Sequence, residues 1–146
     1  MENPGWELHC AGLGDLWEQR TIHKGIYHHG FLQSDELLSF MAEGGVFILP
    51  SHKEPWGVVV HEFAAAGFPL LLSDRVNSGT SFLVEGKNGY AFKAKNKKEL
   101  EKSLDKIMSL NSSELIEMAK FSRELSQKFS VSRWLKTVEV LVNRIK

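Results

Sequence analysis

The hydrophobic positions along this chain follow two different spacings. Short apolar runs, which are typical of buried strands, alternate with segments in which apolar residues recur every three or four positions, as on one face of a helix. The strand-like runs lie at residues 8–11, 26–29, 46–49, 70–73 and 89–92. Strands that alternate with helices predict an α/β layered domain with a parallel sheet.

The helical patterns lie between and after these runs. Ser34 is a candidate cap for a helix that ends near Met41, and either Ser130 or Ser132 could cap the last helix. The other predicted helices lie at residues 15–20, 58–66, 100–108 and 115–125, and residues 75–80 are expected to form an irregular loop. Apolar residues at positions 134, 138, 141 and 145 mark one face of the last helix.

The helix after Gly57 is apolar on almost every side, and Gly67 marks its end. Such a helix belongs in a protein interior, where a carboxylate costs free energy unless a partner hydrogen-bonds it. We therefore expect Glu62 either to be paired within the structure or to be placed for a ligand that carries hydroxyl groups.

A second carboxylate, Glu54, stands eight positions before Glu62. Because Pro55 disfavours the α conformation at the residue before it, Glu54 should be extended and should precede the helix. Glu62 then falls on the second helical turn, so that both carboxylates can face one cleft.

An anion site is expected between these two acids. Gly57 has no side chain, and the free amides of Gly57, Val58 and Val59 lie where a helix N-terminus can bind phosphate. Two carboxylates on either side of a phosphate site suit a nucleotide joined to a sugar.

Simpler interpretations of the same residues stay open. Ser51 and Glu54 have the spacing of a capping box, which would place Glu54 inside the helix. Glu62 could satisfy a neighbouring backbone group or lysine, and Trp56 could be a packing residue that closes the loop.

Composition narrows the class of protein. The 146 residues, of which 42% are hydrophobic and 25% charged, suit a single domain over residues 1–146. Eighteen acidic and 18 basic residues balance, so the charge gives no indication of a nucleic-acid partner. The single cysteine, Cys10, is compatible with a reducing compartment, and residues 1–6 lack signal-peptide character. We therefore expect a cytoplasmic protein without a membrane span, while peripheral membrane contact stays open.

No metal site is predicted. Residues His28 and His29 are neighbours on a strand and must point to opposite faces, so they cannot chelate one metal together. His61 is expected to be a core or interface histidine, and no bound cofactor is expected.

The spacing of Glu54 and Glu62 resembles the nucleotide-sugar-binding domain of retaining GT-B glycosyltransferases, the glycosyltransferase group 1 family, whose mark is two glutamates separated by seven residues. Further matching segments lie in the same order along nearly the whole chain, at residues 11–14, 30–31, 65–69 and 88–90. The resemblance implies a Rossmann-like three-layer parallel sheet followed by C-terminal helices.

The resemblance also implies roles for individual residues. Glu54, the candidate catalytic residue, would contact hydroxyls of the donor sugar, and Glu62 would hold the nucleotide ribose. The remaining implied donor contacts are the amides of Gly57, Val58 and Val59 to the diphosphate, Gly30 and Phe31 against the base, and Trp56 at the aromatic position before the motif glycine.

Complete members of this family carry an N-terminal acceptor domain, and their C-terminal domain opens with a strand, a glycine-rich loop and two cations that neutralise the diphosphate. We expect this chain to lack these parts. The missing first strand would lie between strands 8–11 and 46–49. Either those strands pair directly, another chain fills the gap through self-association, or the sheet rearranges.

The sequence thus predicts the donor-binding half of a retaining glycosyltransferase, inactive alone, with a nucleotide-diphosphate sugar as donor and a glycan or lipid as acceptor. The alternative is a non-catalytic α/β assembly module that has lost nucleotide binding.

Overall fold

The computed structural model describes residues 5–145 and forms two compact units that meet in sequence between Gly44 and Gly45. The expectation about residues 1–6 therefore falls largely outside the described residues. A single domain over the whole chain stays a prediction. Within residues 5–145, no helix is both long and apolar enough to cross a bilayer.

The first unit is a small parallel sheet with a helix. Strand β1 (Leu8–Ala11) pairs in parallel with β2 (Ile26–Gly30), and the pairing is irregular between Cys10 and Ala11. A 3-10 helix at Trp17–Gln19 connects them, and α1 (Ser34–Met41) follows. Cys10 is half-buried, and burial raises the pKa of its thiol, so less of the reactive thiolate is present at neutral pH.

The second unit contains a three-stranded parallel sheet in the order β3-β4-β5, with β4 in the centre. Its strands are β3 (Phe47–Leu49), β4 (Leu70–Ser73) and β5 (Gly89–Phe92). Its helices are α2 (Val58–Ala66), α3 (Gly79–Phe82), α4 (Lys97–Met108), α5 (Ser112–Ser126) and α6 (Val131–Ile145), with a 3-10 helix at Gln127–Phe129 before α6.

Burial of β4 on both faces makes this unit a three-layer structure, as the sequence predicts. Successive side chains of a strand point to opposite faces. Leu70 and Leu72 pack with α2 and α3 on one face, and Leu71 packs with α4 and α5 on the other. All three are almost completely buried, which explains why the strand is a continuous apolar run.

The observed elements agree closely with the predicted ones. Strands β1, β4 and β5 have the predicted bounds, and β3 begins one residue later, at Phe47. The expected cap at Ser34 is wrong, because α1 begins at Ser34 and Gln33 occupies the cap position. Of Ser130 and Ser132, the two candidate caps of the last helix, Ser130 is confirmed, since its Oγ accepts from the amide of Arg133 at 3.4 Å.

The strands do not form one continuous sheet. They form two separate sheets, β1-β2 and β3-β4-β5. Direct pairing of β1 with β3, one of the three expected alternatives, is not found within residues 5–145. Both strands of the first sheet, and strands β3 and β5 of the second, are therefore edge strands.

Helix α6 leaves apolar side chains open to solvent. Trp134 is 64% exposed, and the exposed apolar residues of this helix are Val131, Trp134, Leu135, Val140, Leu141 and Val142. The side chain at position 145 lies outside the described residues. Large apolar surfaces of this kind mark interaction sites more often than scattered exposed residues do.

A buried asparagine anchors the turn before β5. Asn88 is fully buried, and its Nδ2 donates to the carbonyl of Phe82 at 2.8 Å and to Ser122 Oγ at 3.0 Å. Its Oδ1 accepts from the amide of Val84 at 2.8 Å. This one side chain therefore ties the turn to both α3 and α5.

We expect Asn88→Ala to lower the free energy of unfolding by about 1 to 3 kcal/mol, because buried partners lose their hydrogen bonds. Ser122→Ala removes one of the three bonds and should cost less. Urea unfolding followed by circular dichroism measures both, with Asn143→Ala on the exposed side of α6 as the control. Equal stability of Asn88→Ala and the control would contradict this role.

Candidate functional site

Two loops leave the same edge of the three-stranded sheet. Strands β3 and β4 pair in register, with Leu49 opposite Leu72. Residues 50–57 follow β3 and are called the glutamate loop here, and residues 74–78 follow β4 and are called the asparagine loop. Because parallel strands end at the same edge, these loops start side by side, where ligands bind in open parallel sheets.

Glu54 is extended and half-buried within the glutamate loop, as Pro55 predicts. It forms a parallel bridge with Val76, and its amide donates to the carbonyl of Arg75 at 3.0 Å. Its Oε1 accepts from the amide of Trp56 at 3.3 Å. The capping-box interpretation of Glu54 is therefore wrong, because α2 begins four residues later.

Gly57 is in the left-handed conformation, with φ of 84°, where glycine is favoured. A Cβ at this position would lie 3.0 Å from Glu54 Cγ and 3.4 Å from Ser78 Oγ. The glycine thus allows the chain to turn tightly into α2 beside the Glu54 side chain.

Three amides are free at the start of α2. Among the described residues, the amides of Gly57, Val58 and Val59 have no hydrogen-bond acceptor, whereas Val60 donates to the carbonyl of Gly57 at 3.0 Å. Unpaired amides at the N-terminus of a helix, together with the positive end of its dipole, suit an anion.

Glu62 is exposed, which corrects the expectation of a buried glutamate. It lies on the second turn of α2, as predicted, but on the face that it shares with Val58 and Ala65, and all three residues are exposed. The opposite side of the helix buries Val60 completely. Because valine and alanine occur on both faces, the sequence carried no signal of which face is open.

The position of Trp56 is compatible with both interpretations that the sequence left open, a packing residue and a ligand contact. Its ring meets the Phe82 ring edge to face, with 6.5 Å between centroids, and 46% of the residue is exposed. One side of the indole therefore packs while the remainder is free for contact.

The residues expected near a base lie in the first unit. Gly30 is buried with φ of 70°, and Phe31, directly after it, is 66% exposed. A Cβ at Gly30 would meet side-chain atoms of Leu13 and Trp17 at 3.7 and 3.8 Å. Gly30 therefore permits a tight turn at the end of β2, with an aromatic side chain open to solvent.

His61 is a packing residue, as expected. Its ring stacks on Phe82 with 4.7 Å between centroids, and its Nε2 lies 3.3 Å from the carbonyl oxygen of Ser126. In the first unit, His28 and His29 point to different partners, Thr21 and His9, as expected for strand neighbours. Across residues 5–145, no three side chains of the types that ligate metals form a group.

The sequence missed two features beside the glutamate loop. Asn77 and Ser78 hydrogen-bond its backbone. The sequence indicated this only by residue type, because asparagine and serine commonly bind backbone groups in turns. A shallow pocket of about 220 Å³ also opens between the ends of β3 and β5, where His52, Lys95 and Lys97 line it.

Comparison with known proteins decides the family. The family model for glycosyl transferases group 1 matches residues 2–125. This chain belongs to the glycosyl transferases group 1 family. The two glutamates, the glycine between them and the parallel sheet that presents them therefore lie within a group 1 domain.

Several known proteins are similar to this chain over part of their length. Glycogen synthase of Mycobacterium tuberculosis is 33% identical over 94 residues, which cover 60% of this chain and 22% of the synthase. The lipopolysaccharide outer core galactosyltransferase WaaB has the same fold, with a TM-score of 0.79 and 16% identity over 97% of this chain and 41% of WaaB.

The C-terminal domain of a group 1 family protein from Francisella tularensis, LpcC, also has the same fold. Its TM-score is 0.64, with 24% identity over 74% of this chain and 55% of the domain. The chain thus spans only about a fifth of the glycogen synthase and less than half of WaaB.

Two substitutions test the geometry of this group 1 site. Gly57→Ala should lower the free energy of unfolding by about 1 to 2 kcal/mol, because an L-residue is strained in the left-handed conformation. Glu62→Gln should change it by less than about 0.5 kcal/mol, since the side chain is exposed and without a partner in the described residues. Thermal or urea unfolding measures both. A large loss of stability in Glu62→Gln would mean that the carboxylate is structurally paired.

Proposed function

We propose that this chain is the donor nucleotide-sugar-binding half of a retaining glycosyltransferase that transfers a sugar to a glycan or lipid acceptor. The observation that supports this most directly is the arrangement at the start of α2. An extended glutamate precedes three free amides, and a second glutamate follows on an apolar helix face that is open to solvent. An exposed patch of this kind suits a surface that a ligand covers.

Each part of this arrangement has a proposed role. Glu54 orients the donor sugar, and Glu62 hydrogen-bonds the ribose of the nucleotide. The amides of Gly57, Val58 and Val59 bind the diphosphate and stabilise the negative charge that develops on it as it leaves. These amides stabilise the transition state more than the ground state, which is the condition for catalysis.

Trp56 is a further part of the proposed donor site. In the first unit, Phe31 beside the turn at Gly30 offers an exposed ring as the proposed contact for a base. Trp56 offers the free side of its indole beside Glu54. No metal is assigned to the reaction, and the donor is a nucleotide-diphosphate sugar.

The acceptor would be bound by a separate N-terminal domain, as in complete enzymes of this type. The exposed apolar face of α6 is a candidate contact for that domain. We therefore propose that this chain binds the donor but does not turn it over alone. We also propose a cytoplasmic location, compatible with its single cysteine.

A second candidate is a non-catalytic assembly module of the same fold, and the exposed face of α6 is the observation that favours it. Such a module would keep the sheet and the helices for docking and would no longer bind a nucleotide. Glu62 separates the two candidates, because it has no structural partner among the described residues.

Titration of the chain with nucleoside diphosphates and their sugars, followed by calorimetry or ligand-observed NMR, tests the proposal. We expect saturable binding selective for one base, weakened about 10- to 100-fold by Glu62→Gln because hydrogen bonds to a charged group are lost. Glu139→Gln, an exposed helical glutamate on α6, is the matched control and should bind as the wild type does.

Two outcomes would contradict the proposal. If no binding is detected at millimolar ligand, the free energy of binding is weaker than about 4 kcal/mol, and the assembly module is favoured. Sugar transfer by this chain alone would show that the donor half needs no acceptor domain.

A further inference from the structure

Four successive carbonyls of the glutamate loop are hydrogen-bonded by only two residues of the asparagine loop. The carbonyl of Glu54 accepts from the amide of Asn77 at 3.2 Å, and that of Pro55 accepts from Asn77 Nδ2 at 3.0 Å. The carbonyl of Trp56 accepts from the amide of Ser78 at 3.0 Å. The carbonyl of Gly57 accepts from Ser78 Oγ at 3.3 Å.

Further contacts fix the base of the two loops. Ser73, at the buried end of β4, donates from its Oγ to the carbonyl of Ser51 at 2.5 Å. Ser78 is itself completely buried, whereas Asn77 is exposed. The asparagine loop is therefore anchored in the core through Ser78, and the glutamate loop is hydrogen-bonded to the asparagine loop.

This bonding gives the glutamate loop two different sides. Its carbonyls point towards Asn77 and Ser78, while the amides of Gly57, Val58 and Val59 have no acceptor within the described residues. A loop of this kind would otherwise be free to rotate its peptide groups, because Gly57 allows many backbone conformations. The neighbouring loop thus fixes the direction of these peptide groups, together with the amide of Val60 at the carbonyl of Gly57.

We propose that Asn77 and Ser78 are positioning residues for donor binding: they hold the backbone of residues 54–57 so that the Glu54 carboxylate and the amides of Gly57 and Val58 face the donor. This inference rests on the proposed function. It assigns a separate part of the donor to each residue, because their side chains hold different peptide groups.

The side chain of Asn77 holds the carbonyl of the Pro55–Trp56 peptide, whose amide donates to the Glu54 carboxylate, so its loss should affect the contact with the sugar. The side chain of Ser78 holds the carbonyl of Gly57, at the start of α2, so its loss should affect the contact with the diphosphate. The proposal requires no contact between either side chain and the nucleoside.

The test compares Asn77→Ala and Ser78→Ala with Thr80→Ala. Thr80 Oγ1 donates to the carbonyl of Asn77 at 2.8 Å, a hydrogen bond that does not involve the glutamate loop. Thr80→Ala therefore removes one hydrogen bond without touching the glutamate loop. Dissociation constants are measured for the nucleoside monophosphate, the diphosphate and the diphosphate sugar of the base that the wild type binds. Thermal unfolding shows that each variant is folded.

Asn77→Ala should weaken binding of the diphosphate sugar about five- to tenfold and leave the monophosphate and the diphosphate within about twofold. Ser78→Ala should weaken both diphosphate ligands by a similar factor and leave the monophosphate unchanged. Thr80→Ala should bind all three as the wild type does. In a Glu54→Gln background, Asn77→Ala should have no further effect on the sugar, because its action passes through Glu54.

An equal loss for all three ligands, in proportion to lost stability, would show a purely structural role and overturn the proposal. Unchanged affinities in both variants would also overturn it. If the wild type binds no nucleotide, the proposed function fails, and with it the donor role of these residues.

Amide NMR of the ligand-free protein then decides separately whether Asn77 and Ser78 orient the loop. The signals of Gly57, Val58 and Val59 should shift in Asn77→Ala and Ser78→Ala and not in Thr80→Ala. Signals that stay in place in all three variants would show that the loop is oriented without these side chains.

Discussion

The parallel pairing of β3 with β4 is the constraint on which the site depends. Helix α2 connects these two neighbouring strands, and such a crossover must begin at the carboxyl end of one strand and return to the amino end of the next. The N-terminus of α2, the glutamate loop and the asparagine loop are therefore brought to one edge of the sheet. Burial of Leu70, Leu71 and Leu72 holds that edge in place.

Local pattern was enough to predict most elements of the fold. The run at residues 70–73 could be placed to the residue because both faces of the strand are buried and Pro69 precedes it. The expected loop at residues 75–80 is wrong at its end, where the short helix Gly79–Phe82 begins, since four residues without a repeating apolar pattern carry no helical signal. The separation into two sheets depends on contacts between distant segments, which periodicity does not encode.

The candidate site shows the same division. The conformation of Glu54 followed from Pro55, because the restriction by proline is local. The exposure of Glu62 did not follow, because it depends on which side of α2 packs against the sheet. The residues that hold the glutamate loop lie about 20 positions further along the chain, so only the folded sheet shows that they meet. The roles of individual donor contacts came from resemblance, and they stay proposals.

The two-sided bonding of the glutamate loop also determines which sign of charge its backbone groups suit. A cation is bound by oxygen atoms, and the four carbonyls that this loop could offer are turned towards Asn77 and Ser78. An anion is bound by N–H groups, and three amides at the positive end of α2 have no acceptor among residues 5–145. The backbone at this edge of the sheet therefore suits negative charge better than positive charge, in a chain whose overall charge is zero.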